Sequence, residues 1–565
     1  MNRGDEKTIQ YPVFPAVPEA GAPALPGRNW LGDNPEISLV LPGLTSFSGP
    51  APGMPTLKWV FWLGGLFVAA HLALQISAGL SVDEAHYALY AYRLDWSYFD
   101  HPPLAGWVQL PALALGGADF LVREAAFLLW LATLFLLRRL VAALYPGSAA
   151  GAAANAAALL FLSAPLFELL GVALLPDSLL VPIACCVMAA TWRIRSEGDG
   201  SSLAAWLALG FSLGLAGLSK YTGIFLAVSA LLVLLPRFGP RLFAQPGFWI
   251  AAVLALALVS PVLAWNARHG WISFAYQARH AVGAESGDLG GVAQFVGSHA
   301  PPGPAIRGPG WDWLGIAGAE AAQVIGYGPL LVLGVCLGIR ARFREPGTRH
   351  CLAFAGPPMV VIAALAARGG SLPHWTAFAW TALVPVAAAG VAIGLARPSV
   401  RRWIIGLGLV QVVALTAGFA AAWAGGPPGR AVVGFNPFAD LYGWDGAVAE
   451  ARELAATHRV DSLCVLNWTL ASRAAWYARP LPVHVLDRRF DQFTLWYGKL
   501  PKGGSAILID WSPMAYDLPP AGSPGWFRRV RKVGERTASR FGRTISRFDF
   551  YLCEDWQGGA DVRRR

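Results

Sequence analysis

Along most of this chain apolar residues run without the polar face that a solvent-exposed helix or strand shows. From Thr56 onward, apolar windows of roughly 20 residues recur, each long enough to cross a hydrocarbon layer of ~30 Å. They fall near residues 57–77, 121–145, 150–170, 177–194, 203–219, 222–236, 247–265, 313–339, 350–367, 375–396 and 403–424, which predicts about eleven transmembrane helices. Between the first two lies an interruption, Ser81 to Leu104, SVDEAHYALYAYRLDWSYFDHPPL, with four carboxylates, two histidines and four tyrosines. A stretch this polar cannot lie in lipid, so it forms a loop or short interfacial helices at one membrane face.

The basic residues give that face a side. Arg138 and Arg139, Arg193 and Arg195, Arg237 and Arg241, the group Arg340, Arg342, Arg344 and Arg349, and Arg397, Arg401 and Arg402 stand at alternate span boundaries, which are therefore cytoplasmic. The interruption then lies outside, as do Pro176-Asp177, Ser219-Lys220-Tyr221, the loop from about 266 to 312, and Arg368 to His374. Residues 1–55, rich in Pro, Gly and Ala, read as a disordered cytoplasmic tail. A start codon assigned too early would also account for that tail, since Met54 directly precedes the first span.

Residues 56–425 form the membrane domain on this reading. Past Gly425-Gly426-Pro427-Pro428 the pattern turns soluble: Trp444 to His458 has helical periodicity, and Ser462 to Asn467, Ala506 to Asp510, Phe527 to Val533 and Asp549 to Cys553 read as strands. Residues 426–565 are thus expected to form a small α/β domain outside the membrane, and no Gly-rich phosphate loop opens its helices.

Composition agrees: 55% hydrophobic, 14% charged, mean hydropathy +0.47. The net charge of +10 comes from arginines at span ends, which makes lipid headgroups rather than nucleic acid the partner. Six cysteines show no metal-ligand spacing, and only Cys464 and Cys553 are placed to form a disulfide.

Several outer residues carry candidate chemistry. Ser81-Val82-Asp83-Glu84 fits a capping box, in which Glu84 reaches back to start a helix. Asp83 beside it is a candidate general base or electrostatic stabiliser, with His86 or Tyr87 and Tyr90 on neighbouring helical faces. Asp100 and His101 abut a rigid Pro102-Pro103 corner that would hold them for a phosphate or a divalent ion. Asp177 follows a proline at a helix start, a position an acid also takes to complement the helix dipole. Lys220, a lysine that could equally snorkel at the boundary, joins His101, Arg368 and His374 as cations able to surround a phosphate.

These motifs carry a resemblance. DEAHYALYAYRLDWSYFDHPPL, LLPDSLL, GLSKYTGIFL and LPHWTAFAW resemble the motifs of bacterial glycosyltransferase family 39/83. That group includes the aminoarabinose and galacturonic-acid transferases of lipid A and core, and the protein O-mannosyltransferases. The similarity runs over roughly residues 57 to 500, taking in Leu441-Tyr442-Gly443-Trp444 and Gln492-Phe493-Thr494-Leu495-Trp496. It implies a GT-C membrane fold, a polyprenyl-phosphate-linked sugar donor, and an envelope acceptor that is a glycolipid such as lipid A or core, another glycan, or a protein. It implies Asp83 as catalytic acid/base and Asp177 as a second essential carboxylate near the donor. Asp100 stands where an aminoarabinose transferase has a glutamate proposed as metal ligand, and His101 where it has a lysine that meets the donor phosphate. Glu84, Tyr87, Tyr221, Lys220, Arg368 and His374 complete the expected substrate and phosphate contacts. No cofactor is required, and a divalent ion at Asp100 stays open. The expected reaction is inverting sugar transfer at the periplasmic face of a bacterial inner membrane, and a flippase for lipid-linked sugars is the alternative from another class.

Overall fold

The structure, a computed structural model, describes residues 56–147, 150–197, 200, 202–281, 312–367, 371–427, 436–559 and 563–564. The tail 1–55, Arg368 and most of the expected 266–312 loop lie outside them. The chain is a polytopic helical membrane protein with a small sheet domain at its C-terminal end. Every apolar window coincides with helix, and the exact count of eleven spans is not confirmed. Among the described residues eight helices are long and apolar enough to cross: Leu57–Gln75, Asp119–Leu144, Pro176–Glu197, Tyr221–Ala244, Pro246–Arg268, Pro346–Ala366, Pro373–Leu395 and Pro398–Ala424.

Two more windows are bent pairs, Ala150–Leu162 with Pro165–Val172 at 70° and Trp313–Tyr327 with Pro329–Arg342 at 98°, giving up to ten spans if each pair counts once. The breaks fall at Pro165 and Pro329, which lack the amide that a continuous helix needs. The remaining window, Leu203–Ser219, is a shorter apolar helix of 17 residues, at the lower end of the length that crosses a bilayer.

Burial sorts these helices. Pro373–Leu395 is the central one, with 94% of its apolar window buried, whereas Pro246–Arg268 and Pro398–Ala424 bury only 11%. Large apolar side chains such as Leu256, Trp403 and Val413 therefore face outward, which costs nothing when the surroundings are lipid tails.

The C-terminal sheet has the order β2-β1-β3-β6-β5, built from β1 (Leu463–Val465), β2 (Val483–Val485), β3 (Ala506–Trp511), β5 (Phe527–Arg540) and β6 (Arg543–Trp556); the short β4 (Tyr516–Asp517) pairs with β7 (Arg563–Arg564). Strand β1 runs parallel to β2 and β3, while β3, β6 and β5 are antiparallel. Arg540 pairs with Arg543 across the two-residue turn Phe541-Gly542, and both turn residues have positive φ, as a type I′ hairpin demands. All six cysteines are free, which corrects the expected Cys464–Cys553 pairing. Cys464 is on β1 and Cys553 on β6, with β3 between them. Two strand spacings of ~4.8 Å exceed the ~7 Å Cα limit for a disulfide.

The polar interruption becomes the helix Val82–Tyr92 followed by the short helices Leu104–Trp107 and Leu110–Ala114. Its apolar residues Leu80, Ala85, Ala88 and Leu89 share one core with Leu470, Ala474 and Trp476 of the helix Trp468–Ala478. The first loop and the sheet domain are thereby packed around one core.

Candidate active site

The start of the helix Val82–Tyr92 is fixed by hydrogen bonds to the amides that lead into it. Ser81 N donates to Glu84 Oε2 at 2.9 Å, the backward arm of the capping box. The C-terminal segment satisfies three others: Gly79 N donates to Leu441 O at 2.8 Å, Leu80 N to the Tyr477 hydroxyl at 3.0 Å, and Val82 N to Asp440 Oδ2 at 3.0 Å. Arg473 pairs with Asp440 and is fully buried, its guanidinium lying 4.2 Å from the Trp444 ring and 4.7 Å from the Trp511 ring. The register of Asp83, one residue after Val82, is therefore set from more than three hundred residues away.

Glu84 is turned inward, to a buried arginine. Arg123 grips it with Nε at 2.6 Å and Nη2 at 2.9 Å and also donates to the Ala78 and Gly79 carbonyls, each at 2.7 Å. Both side chains are almost wholly buried. Removing one partner strands a buried charge, so Arg123→Met is expected to cost about 3–5 kcal/mol. A thermal unfolding midpoint close to wild type in detergent would contradict that.

On the opposite side Asp83, His86, Tyr87 and Tyr90 follow the i, i+3, i+4, i+7 pattern of one helical face. His86 Nε2 lies 3.0 Å from Asp100 Oδ2, and the Tyr90 hydroxyl donates to Asp100 Oδ1 at 2.5 Å. The corner carrying Asp100 is held by Tyr98, which stacks on Tyr90 at 3.5 Å, and by Gln277, which donates to the Asp100 carbonyl at 2.5 Å. From the membrane helices come Asp177 and Lys220: Lys220 Nζ donates to Asp177 Oδ1 at 2.9 Å and Oδ2 at 2.7 Å, and His374 Nε2 is 3.8 Å from the same carboxylate.

A cavity of about 510 Å³ joins these groups. Of the expected residues it brings together Asp83, Tyr87, Asp100, His101, Asp177, Lys220, Tyr221 and His374, and it does not include Glu84. Arg368 lies outside the described residues. His86 and Trp468 also line it. His86 is the neighbour of Asp83 that helical spacing predicts, but Trp468 carries no local signal, because it arrives on the C-terminal helix.

Burial raises the Asp83 pKa to about 6; His86 opposes the rise, and the nearby Asp100 and Glu84 carboxylates add to it. Burial also disfavours charge on His86, yet Asp100, Asp83 and Asp491 outweigh it and hold this imidazole above the usual histidine pKa. Burial works against ionising Asp100 too, but the pairing with His86, His101 nearby and the Tyr90 hydrogen bond leave its carboxyl below the usual range. His101 is lowered to about 4 by burial, against the pull of Asp100, so it meets a ligand as neutral imidazole. Two carboxylates on one wall are thus pushed apart, Asp83 poised near neutrality and Asp100 firmly ionised.

The described residues do not assemble a metal site. Both oxygens of Asp100 are taken by His86 and Tyr90, and among the described residues no group of three His, Cys, Asp or Glu side chains could hold an ion.

Residues 100–265 match the family model described as dolichyl-phosphate-mannose-protein mannosyltransferase, a stretch holding Asp100, His101, Asp177 and Lys220. Among solved structures the chain is similar to ArnT from Cupriavidus metallidurans in the apo state, at 16% identity and a TM-score of 0.54, over 88% of this chain and 98% of that one. It is similar also to ArnT from the same organism bound to undecaprenyl phosphate, at 14% identity and a TM-score of 0.56, over 90% and 100%. No curated protein sequence matches. At these identities the likeness is one of fold.

Proposed function

We propose, from the premise that this chain has the GT-C fold of a multi-pass membrane glycosyltransferase, that it moves a sugar from a polyprenyl-phosphate-linked donor to an envelope acceptor hydroxyl. The observation that carries this reading is one cavity joining a carboxylate of pKa near neutrality, Asp83, to the Lys220 ammonium held on Asp177, with the His374 imidazole beside the same carboxylate. A transfer of this kind needs a base at the acceptor and positive charge at the leaving phosphate.

The Asp83 carboxylate takes the acceptor proton as the oxygen attacks the anomeric carbon. The bond from that carbon to the phosphate oxygen breaks, and the phosphate leaves with the electron pair. Attack from the face opposite the phosphate inverts the anomeric centre. His86, paired with ionised Asp100, faces Asp83 and favours its charged form. Two of the three N–H donors of Lys220 hold Asp177, and the third serves the departing phosphate, with neutral His101 and His374 as further donors. Asp177 acts through Lys220, fixing the ammonium that the phosphate meets. Arginines at alternate span ends support placing this cavity, and residues 426–565, on the periplasmic side of a bacterial inner membrane, with residues 56–425 as the membrane domain.

The test is sugar transfer by the purified full chain in lipid nanodiscs, with labelled polyprenyl-phosphate sugar and a glycolipid acceptor. The base form of Asp83 is the active one, so kcat/KM is expected to rise with pH, about tenfold per unit below a pKa of about 6, and level off above it. A profile flat from about pH 4.5 to about pH 7.5 would remove Asp83 as the base.

A further inference from the structure

Asp491 uses only one of its two oxygens. Oδ1 accepts from Thr494 N at 2.9 Å and from the Thr494 hydroxyl at 3.0 Å, capping the helix Gln492–Tyr497. Oδ2 is buried with no hydrogen-bond partner, and the residue is 3% exposed. Native structures rarely leave a buried carboxylate oxygen unpaired without a ligand or water to serve it.

That carboxylate lines a second hollow, about 30 Å³ in volume, which shares His86, Asp100, Tyr276 and Trp468 with the large cavity and takes its remaining wall from Phe99 and the segment Arg489 to Phe493, the Arg489 guanidinium and the Gln492 amide included. Its volume suits a single hydroxyl or water. Trp468 is half-buried and borders both spaces, so a group resting on its ring lies beside the hollow and within the chamber of Asp83.

We propose that Trp468 and Asp491 form the acceptor subsite, and that it takes the carbohydrate headgroup of a glycolipid. This rests on the glycosyltransferase reading above. A sugar ring lays its C–H face on the indole while a ring hydroxyl donates to Asp491 Oδ2, leaving a neighbouring hydroxyl for Asp83. The other walls of the large cavity come from the ends of membrane helices at Asp177, Lys220 and His374, which suits a sugar carried on a lipid.

Asp491→Asn separates this role from the cap, because asparagine caps helices as well as aspartate does but presents an amide in place of one oxygen. Trp468→Ala removes the ring. Binding is measured on the full chain in nanodiscs with three probes: lipid A, whose headgroup is an amino-sugar disaccharide, a serine/threonine peptide, and undecaprenyl phosphate. Lipid A should bind the wild type and weaken at least about tenfold in both variants, while undecaprenyl phosphate stays within about twofold. No lipid A binding, unchanged lipid A affinity in Asp491→Asn, or peptide binding that depends on Asp491 each overturns the subsite. Sugar transfer assayed on the same samples separates the two readings. Lipid A binding that depends on Asp491 without any transfer defeats the transferase and leaves the subsite standing. Transfer with an acceptor KM indifferent to Asp491 and Trp468 defeats the subsite alone.

Discussion

Asp83→Asn is expected to lower kcat for sugar transfer on the order of 10²- to 10⁴-fold, the range that a positioned general base supplies. Asparagine keeps the shape of aspartate and cannot take a proton, so the loss should appear without any change in folding. The surroundings argue that the fold will tolerate it: the helix start is secured by Glu84, Asp440, Tyr477 and Leu441, not by Asp83. The variant should therefore insert, purify and melt like wild type. It should also lose the acid limb of the pH profile, since that limb reports the group removed. Transfer within threefold of wild type, from normally inserted protein, would end the assignment of Asp83 as base.

The second large effect concerns Asp177 and Lys220. Each is more than nine-tenths buried, and the two face each other at 2.7 Å. Breaking such a pair from one side costs about 3–5 kcal/mol, because the surviving charge is left without a partner. Lys220→Met and Asp177→Leu should therefore each depress the unfolding midpoint and also abolish transfer, an ambiguous result taken singly. The double variant resolves it. With both charges gone the buried site is apolar and the stability should largely return, as it does when buried ion pairs are replaced whole. Transfer should stay down by about 10²- to 10³-fold, the usual cost of losing one donor to a developing negative charge. A double variant that regains both stability and transfer would show the pair to be structural only.

Much of the membrane half is legible in the sequence because lipid imposes a single local rule. A run of roughly 20 apolar residues must be helical to satisfy its own backbone, so each window named from composition coincides with helix. What the windows do not carry is whether a helix runs straight. Pro165 and Pro329 break two of them into pairs bent by 70° and 98°, and the angle depends on what each half packs against. In the C-terminal domain four of the five strands of the main sheet could be placed from their apolar runs, but the three-residue β2 was missed and the order could not be read. Pairing joins β3 to β6 across some forty residues, and that order is what keeps Cys464 and Cys553 apart.

The candidate site divides the same way. Asp83, His86, Tyr87 and Tyr90 belong together by helical spacing alone, and Glu84 as a cap followed from the three-residue offset to Ser81. The bond that turns Glu84 inward to Arg123 spans 39 residues, and the one that joins Lys220 to Asp177 spans 43. Neither distance has a periodicity to betray it. Asp440 reaches Val82 across 358 residues, and Trp468 and Asp491 arrive from the same remote segment. By itself the sequence determined the membrane helices, the polar interruption between the first two and the residue types able to do chemistry there. Only the tertiary structure decided which carboxylate is paired, which is poised near neutrality and which retains an unused oxygen, because those properties come from burial and from neighbours that chain proximity does not provide.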